Sequence, residues 1–239
     1  MPSLPDADTI VSRYLPRAGY PEAADYLRFH ARRFAQLVEL VASLVAGRAE
    51  PALLDVGPSF QTALFQDALP GVRVDTIGYA DERFPVRPGE RHLQFDLNGC
   101  EHSDGWPPPA AYDVVVCAEV IEHLVAAPVH LLRFLATQIA PDGSIVLQTP
   151  NAASLYKRVK LLTGRHPYDQ LRENSANAGH VRESTLPELR AFAAAAGLRV
   201  VAARVDNAFR HAGRLRIYVQ AEKVLPPSLR DGITMVLRR

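Results

Sequence analysis

The segment VVVCAEVIEHLVAAP, Val114 to Pro128, begins as an unbroken apolar run and then places Glu119, Glu122 and His123 within five residues. A strand with one wet face alternates apolar and polar residues. This run does not alternate, so it reads as a strand buried on both faces, as in a parallel sheet covered by helices. Two carboxylates and an imidazole directly after such a strand mark the end where a ligand would bind.

Outward from this strand the chain alternates strand and helix. PALLDVG, VRVDTIGY, HLQFD, YDVVVCA and GSIVLQTP are short β-branched or aromatic runs at spacings suited to helical crossovers. Before the first of them, PEAADYLRFHARRFAQLVELVASLVAG carries Leu27, Phe34, Leu37, Val38, Val41, Leu44 and Val45 at helical spacing, with Gly47 as C-cap. Late in the chain, STLPELRAFAAAAGLRVVAARV predicts a helix capped by Ser184 or Thr185, ended by Gly197 and followed by a strand. GITMVLRR predicts a last strand. The expected fold class is α/β, a doubly wound and mostly parallel sheet with helices on both faces, an N-terminal helical extension and an antiparallel last strand.

Composition bounds the rest. The chain has 239 residues, 48% hydrophobic and 22% charged, enough for one large α/β domain. Cys100 and Cys117 are the only cysteines, which excludes a disulfide framework and favours a reducing, cytoplasmic setting. MPSLPDADTIVSRYLP lacks a basic stretch followed by an apolar one, and no segment has the roughly 18 consecutive apolar residues of a membrane span. The net charge of +1 hides an asymmetry. Residues 1–150 hold 11 Lys and Arg against 19 Asp and Glu, net −8, and residues 151–239 hold 16 against 7, net +9. The basic last third is either a solvated surface or an attraction for an anionic partner.

In a doubly wound sheet the strand ends form the site. Here they carry Asp55 and Gly57 in LLDVGPSF, Asp96 in QFDLNG, Glu119 in AEVIEHL, and Asn151 in LQTPNAAS. These segments, with the helix that ends in Pro141-Asp-Gly143 and with GHVRESTLPELRAFAAAAGLRVV, resemble the Rossmann-like S-adenosylmethionine-dependent methyltransferases over roughly residues 50–205. The resemblance implies S-adenosylmethionine as cofactor. It implies that Asp55, Gly57, Pro58 and Ser59 cradle the methionine end, that Asp96 and Leu97 meet the adenine, and that Ala118 and Glu119 lie beside the cofactor. The ribose falls to Tyr79 or Asp81 in TIGYADERF. The chain departs from the family at Ser59 and Gln61, where glycine is usual.

A helix starting near Glu119 would project Glu119, Glu122 and His123 from one face. Three readings follow: a polar helix N-terminus, His123 as general base, or a divalent-metal site for Mg²⁺, Mn²⁺ or Zn²⁺. EVIEHL resembles the segment of ubiquinone-pathway O-methyltransferases and of small-RNA 2′-O-methyltransferases, which implies Glu119, Glu122, His123 and a later His180 as metal ligands, with His123 and His180 as the catalytic candidates. The domain expectation is one methyltransferase domain over 1–239, with a helical cap at 1–46, a cofactor core at 50–150 and acceptor-side insertions at 151–183 and 206–230. Tyr156, Arg158, Lys160, Arg165, His166 and Tyr168 are candidate acceptor contacts, and NAFRHAGRLRIY adds a basic cluster. The expected function is O-methylation of a small-molecule hydroxyl, on a specialised metabolite, sugar or phenol, and the expected partner is that small-molecule acceptor, anionic groups included, with a homodimer allowed. RNA 2′-O-methylation, and a non-catalytic subunit carrying the fold, are the rivals. DVGPSF lacks the glycine pattern of pyrophosphate binding, which weighs against a nicotinamide dehydrogenase.

Overall fold

The computed structural model describes residues 4–17, 19, 21–173, 179–209 and 224–239. Seven strands form one sheet: β1 (Ala52–Val56), β2 (Arg73–Gly78), β3 (His92–Gln94), β4 (Tyr112–Ala118), β5 (Ile139–Pro150), β6 (Arg199–Asp206) and β7 (Gly232–Arg238). Their order is β3-β2-β1-β4-β5-β7-β6. All pairs are parallel except those of β7, which runs antiparallel to both β5 and β6. Every expected strand is present, and the last is antiparallel as expected.

Side chains alternate across a strand, so β1 and β4 divide their residues between two cores. Leu53, Val114 and Val116 pack with α1 (Ala7–Tyr14), α2 (Pro21–Val45) and α3 (Phe60–Ala68). Leu54, Val115 and Cys117 pack with α4 (Pro128–Gln138) and α6 (Leu186–Ala195) on the other face. This two-sided burial is why β4 reads as a continuous apolar run, each such residue contributing about 1.5–3 kcal/mol. A short α5 (Leu155–Leu162) follows β5 and packs outside both cores.

The helix before β5 stops at Gln138, and the strand takes up Pro141-Asp-Gly143 itself. The β4–β5 register shifts between Tyr112 and Val114 at that point. A Cβ on Gly143 would lie 2.7 Å from the Tyr112 carbonyl oxygen, so only glycine lets the strand pass. Thr185, rather than Ser184, caps α6, in a capping box with Glu188. No helix among the described residues is long and apolar enough to cross a membrane.

β1 leads outward to β2 on one side and, through a crossover, to β4 on the other. That reversal opens a crevice beyond the carboxyl ends of β1 and β4, where Gly57 and Glu119 sit.

Candidate active site

Gly57 follows β1 at φ 80°, with its N–H donated to the Ile77 carbonyl at 2.8 Å. Gly78 closes β2 at φ 130°, and a Cβ there would come 3.6 Å from the Gly57 nitrogen. The two glycines let strand ends and backbone approach closely. Around them lies a cleft of about 780 Å³, walled by Gly57, Pro58, Tyr79, Asp81, Asp96, Leu97 and Glu119. These are seven of the ten expected cofactor residues. At Gly57 an alanine would be held in the left-handed region with its Cβ 3.4 Å from Val120 Cγ2. Gly57→Ala is expected to lose about 1–2 kcal/mol of stability, with a raised Kd for S-adenosylhomocysteine in calorimetric titration; unchanged values would show that the turn tolerates a side chain.

The other three expected residues serve the structure around the cleft instead of lining it. Asp55 is fully buried within β1 and accepts from Gln61 Nε2 and Thr62 Oγ1, each at 2.6 Å. Burial pushes its carboxyl up to about 7, against those two hydrogen bonds and Arg33. The Ser59 hydroxyl caps α3 by accepting from the Gln61 N–H. Ala118 ends β4, buried, one residue short of the opening. Of the two ribose candidates, Asp81 already binds Arg83 through Nε and Nη2. Tyr79 stands exposed beside Asp96, whose hydrogen bond raises the phenol's pKa.

After β4 no α-helix begins. Glu119 takes a left-handed conformation, φ 58°, followed by a single 3-10 turn at Ile121–His123. The regular helix waits until Pro128, which suits a first helical position. The expected one-face arrangement of Glu119, Glu122 and His123 is therefore replaced by another. Glu122, His123 and His180 each offer a ligand atom within 4.8 Å of the others, and Glu119 lies outside that group.

The turn is bridged to the His180 segment by backbone: Val181 and Arg182 donate to the Glu122 carbonyl at 2.8 and 3.2 Å. Both histidines are then oriented by their Nδ1 atoms. His123 Nδ1 lies 2.9 Å from the Gly179 carbonyl, which can only accept, so Nδ1 carries the proton. His180 Nδ1 lies 2.9 Å from Glu183 Oε1, and Glu183 is paired in turn with Lys157 Nζ. The unprotonated Nε2 atoms of both rings sit 4.0 Å from Glu122 Oε1. Glu122 Oε2 accepts from Thr149 at 3.0 Å, whereas the buried Oε1 has no hydrogen-bond partner. Burial raises the carboxyl's pKa above its usual range.

His180 is pushed down to about 4 by burial, then by His123 and Lys157. An unfolded histidine takes a proton below about 6.5, and folded His180 resists until about 4. The unfolded state thus binds more protons across that window, and stability falls as pH drops through it. Urea midpoints should decline from pH 7 to pH 4, with a smaller decline in His180→Asn; an equal decline in both would show that His180 does not titrate this way.

Beside the cleft lies a second cavity of about 340 Å³, which shares Glu119, His123 and Gly179 with it. Tyr156, Lys160 and Tyr168 line it as expected, and Arg158, Arg165 and His166 do not. The basic cluster after Phe209 lies outside the described residues. Sequence reasoning missed Phe29, His30 and Phe209 on the cavity wall, as well as Glu183. His30 had a signal: it falls between Leu27 and Phe34 on the apolar stripe of α2, where a polar residue needs a buried partner.

A family described as "Methyltransferase domain" matches residues 27–203. No curated protein sequence matches the chain. Among solved structures, a SAM-dependent methyltransferase from Archaeoglobus fulgidus is 15% identical with a TM-score of 0.53, over 85% of this chain and 94% of that one. A Thermobifida fusca YX protein of the same fold gives 15% and 0.58, over 96% and 94%. An O-methyltransferase family 2 protein from Planctomyces limnophilus, in complex with apigenin, gives 16% and 0.54; the match takes in 99% of this chain but spans only 62% of that protein's length. With a match over most of its length and a sheet of this order, the chain belongs to the methyltransferase-domain family, as a Rossmann-like S-adenosylmethionine-dependent methyltransferase of class I.

Proposed function

We propose that the protein methylates a hydroxyl of a small-molecule acceptor. One observation carries the reading: the lone pairs of His123 Nε2, His180 Nε2 and Glu122 Oε1 converge beside the wall where the acceptor cavity meets the cofactor cleft. Bound in the cleft, S-adenosylmethionine supplies a methyl group on a sulfonium, so the protein has only to align the acceptor and take its proton. His123 borders both cavities, and its Nε2 takes the hydroxyl proton. His180 stays neutral beside it and keeps that site free of a second positive charge. The relation to an O-methyltransferase holding apigenin agrees with a hydroxyl acceptor.

The same three atoms suit a divalent cation, since a buried carboxylate oxygen without a partner and two imidazole lone pairs form a borderline-hard donor set. Such an ion would be held by Glu122, His123 and His180 and would lower the pKa of an acceptor hydroxyl. Neither Ser59 nor Gln61 lines the cleft, which argues against a non-catalytic subunit. An RNA 2′-hydroxyl is the rival acceptor, and salt-sensitive RNA binding would favour it.

The test is calorimetric titration with S-adenosylmethionine and S-adenosylhomocysteine, before and after chelation and Mg²⁺ or Mn²⁺ addition, followed by a screen of hydroxylated acceptors. Micromolar cofactor binding and methyl transfer to a hydroxyl are expected. Binding of neither compound overturns the enzyme reading, and a metal effect lost in Glu122→Ala assigns the ion.

A further inference from the structure

Three histidines border the acceptor cavity, and one of them, His30, is held with the opposite polarity. Arg33 has no acceptor atom, so the 3.0 Å contact from its Nε to His30 Nδ1 has one possible sense. Nδ1 accepts, and the proton of the neutral ring sits on Nε2. Arg33 cannot turn away, because it is 1% exposed and its Nη1 also donates to Gln61 Oε1 at 3.1 Å and Gln148 Oε1 at 3.3 Å. His30 itself is 7% exposed, and burial together with Arg33 keeps its pKa well below the usual histidine value. None of the described residues hydrogen-bonds its Nε2.

Flat side chains enclose the His30 ring. Phe29 and Phe209 stack with centroids 5.0 Å apart and an angle of 14°, and His30 meets Phe209 edge-on at 5.4 Å. Tyr26 covers the ring at 4.1 Å. This N–H is not among the sealed, partnerless polar atoms of the interior: it opens onto the cavity, where the oxygen of a ligand can accept from it. His123 and His180 present lone pairs to the same cavity, so of its three imidazoles two offer acceptors and one a fixed donor.

We propose that His30 is an acceptor-binding residue whose Nε2–H donates to an oxygen that can only accept, a carbonyl or carboxylate, carried by a flat ring lying against Phe29 and Phe209. This rests on the methyltransferase reading above and names the class of acceptor: a compact hydroxyaromatic with a second, hydrogen-accepting oxygen. A cavity of about 340 Å³ is at the small end for organic ligands and suits one ring better than several.

The test measures binding of phenol, 4-hydroxybenzaldehyde and 4-hydroxybenzoate to the full chain saturated with S-adenosylhomocysteine. The aldehyde or the benzoate is expected to bind about tenfold more tightly than phenol, the worth of one hydrogen bond made in a dry site. Which of the two leads tells a neutral oxygen from an anionic one. His30→Phe should erase the preference and His30→Gln, which keeps a donor, should retain part of it, both with S-adenosylhomocysteine affinity unchanged. Equal binding of all three, a preference that survives His30→Phe, or binding of none while S-adenosylhomocysteine still binds would each overturn the proposal. Failure of S-adenosylhomocysteine to bind would instead remove the broader reading. Nitrogen-15 spectra of the histidine rings add an arm independent of any acceptor, since His30 should carry its proton on Nε2 and His123 and His180 on Nδ1.

Discussion

His123→Ala lowers kcat by about 10²–10⁴-fold, the usual worth of a positioned general base, and leaves S-adenosylhomocysteine affinity near that of the unmodified protein. The argument is geometric. His123 is oriented by the Gly179 carbonyl, borders both cavities, and directs an unprotonated nitrogen toward Glu122 and His180. Glu122→Gln gives the companion result, because it retains the shape and the Thr149 contact while removing the charge that would stabilise a protonated imidazole. A smaller kcat loss than in His123→Ala, with a shifted pH profile, is expected. If His123→Ala retains nearly full kcat on a hydroxyl acceptor, neither base nor ligand chemistry belongs to this residue. If it loses cofactor binding equally, the residue supports the cleft and not the reaction.

The strands were legible because burial on both faces leaves no room for polar alternation, and YDVVVCA and GSIVLQTP show none. Their order was not legible, since no periodicity encodes which strands are neighbours. The cleft was largely legible for the same reason that strand ends make it. Polar residues near Gly57 carry structural roles that residue type alone does not announce: Asp55 holds Gln61 and Thr62, and Ser59 caps α3. The conformation of Glu119 left no trace, because a non-glycine residue at positive φ is not written in residue type. Pro128 did mark the true helix start. His180 was found only through resemblance, as His123 and its Gly179 partner stand 56 positions apart in the chain. His30 and Arg33 were overlooked because an amphipathic stripe was read from its apolar members alone.

Arg33→Met produces the largest loss of stability, about 3 kcal/mol or more, read as a lower urea midpoint at unchanged m. Two effects oppose each other. Methionine removes a buried guanidinium whose desolvation is costly, and replacing buried charge by apolar volume is sometimes neutral or stabilising. Against this, Arg33 supplies hydrogen bonds to His30 Nδ1, Gln61 Oε1 and Gln148 Oε1, all buried, each costing about 1–3 kcal/mol when stripped of its donor. It is also a positive charge near Asp55, Glu119 and Glu122. Three stripped acceptors and the weakened field at three buried carboxyl groups outweigh the relief of one desolvated cation. Gln61→Gly separates the parts. It restores the glycine usual in the family but breaks the link by which Gln61 joins Asp55 to Arg33. A loss of about 2 kcal/mol is expected, with S-adenosylhomocysteine affinity unchanged, because Gln61 does not line the cleft. The double variant should lose less than the sum of the two, since both remove the same contact. Strict additivity, or an Arg33→Met variant as stable as the parent, would show that Gln61 is a tolerated departure from glycine and not one half of a pair with Arg33.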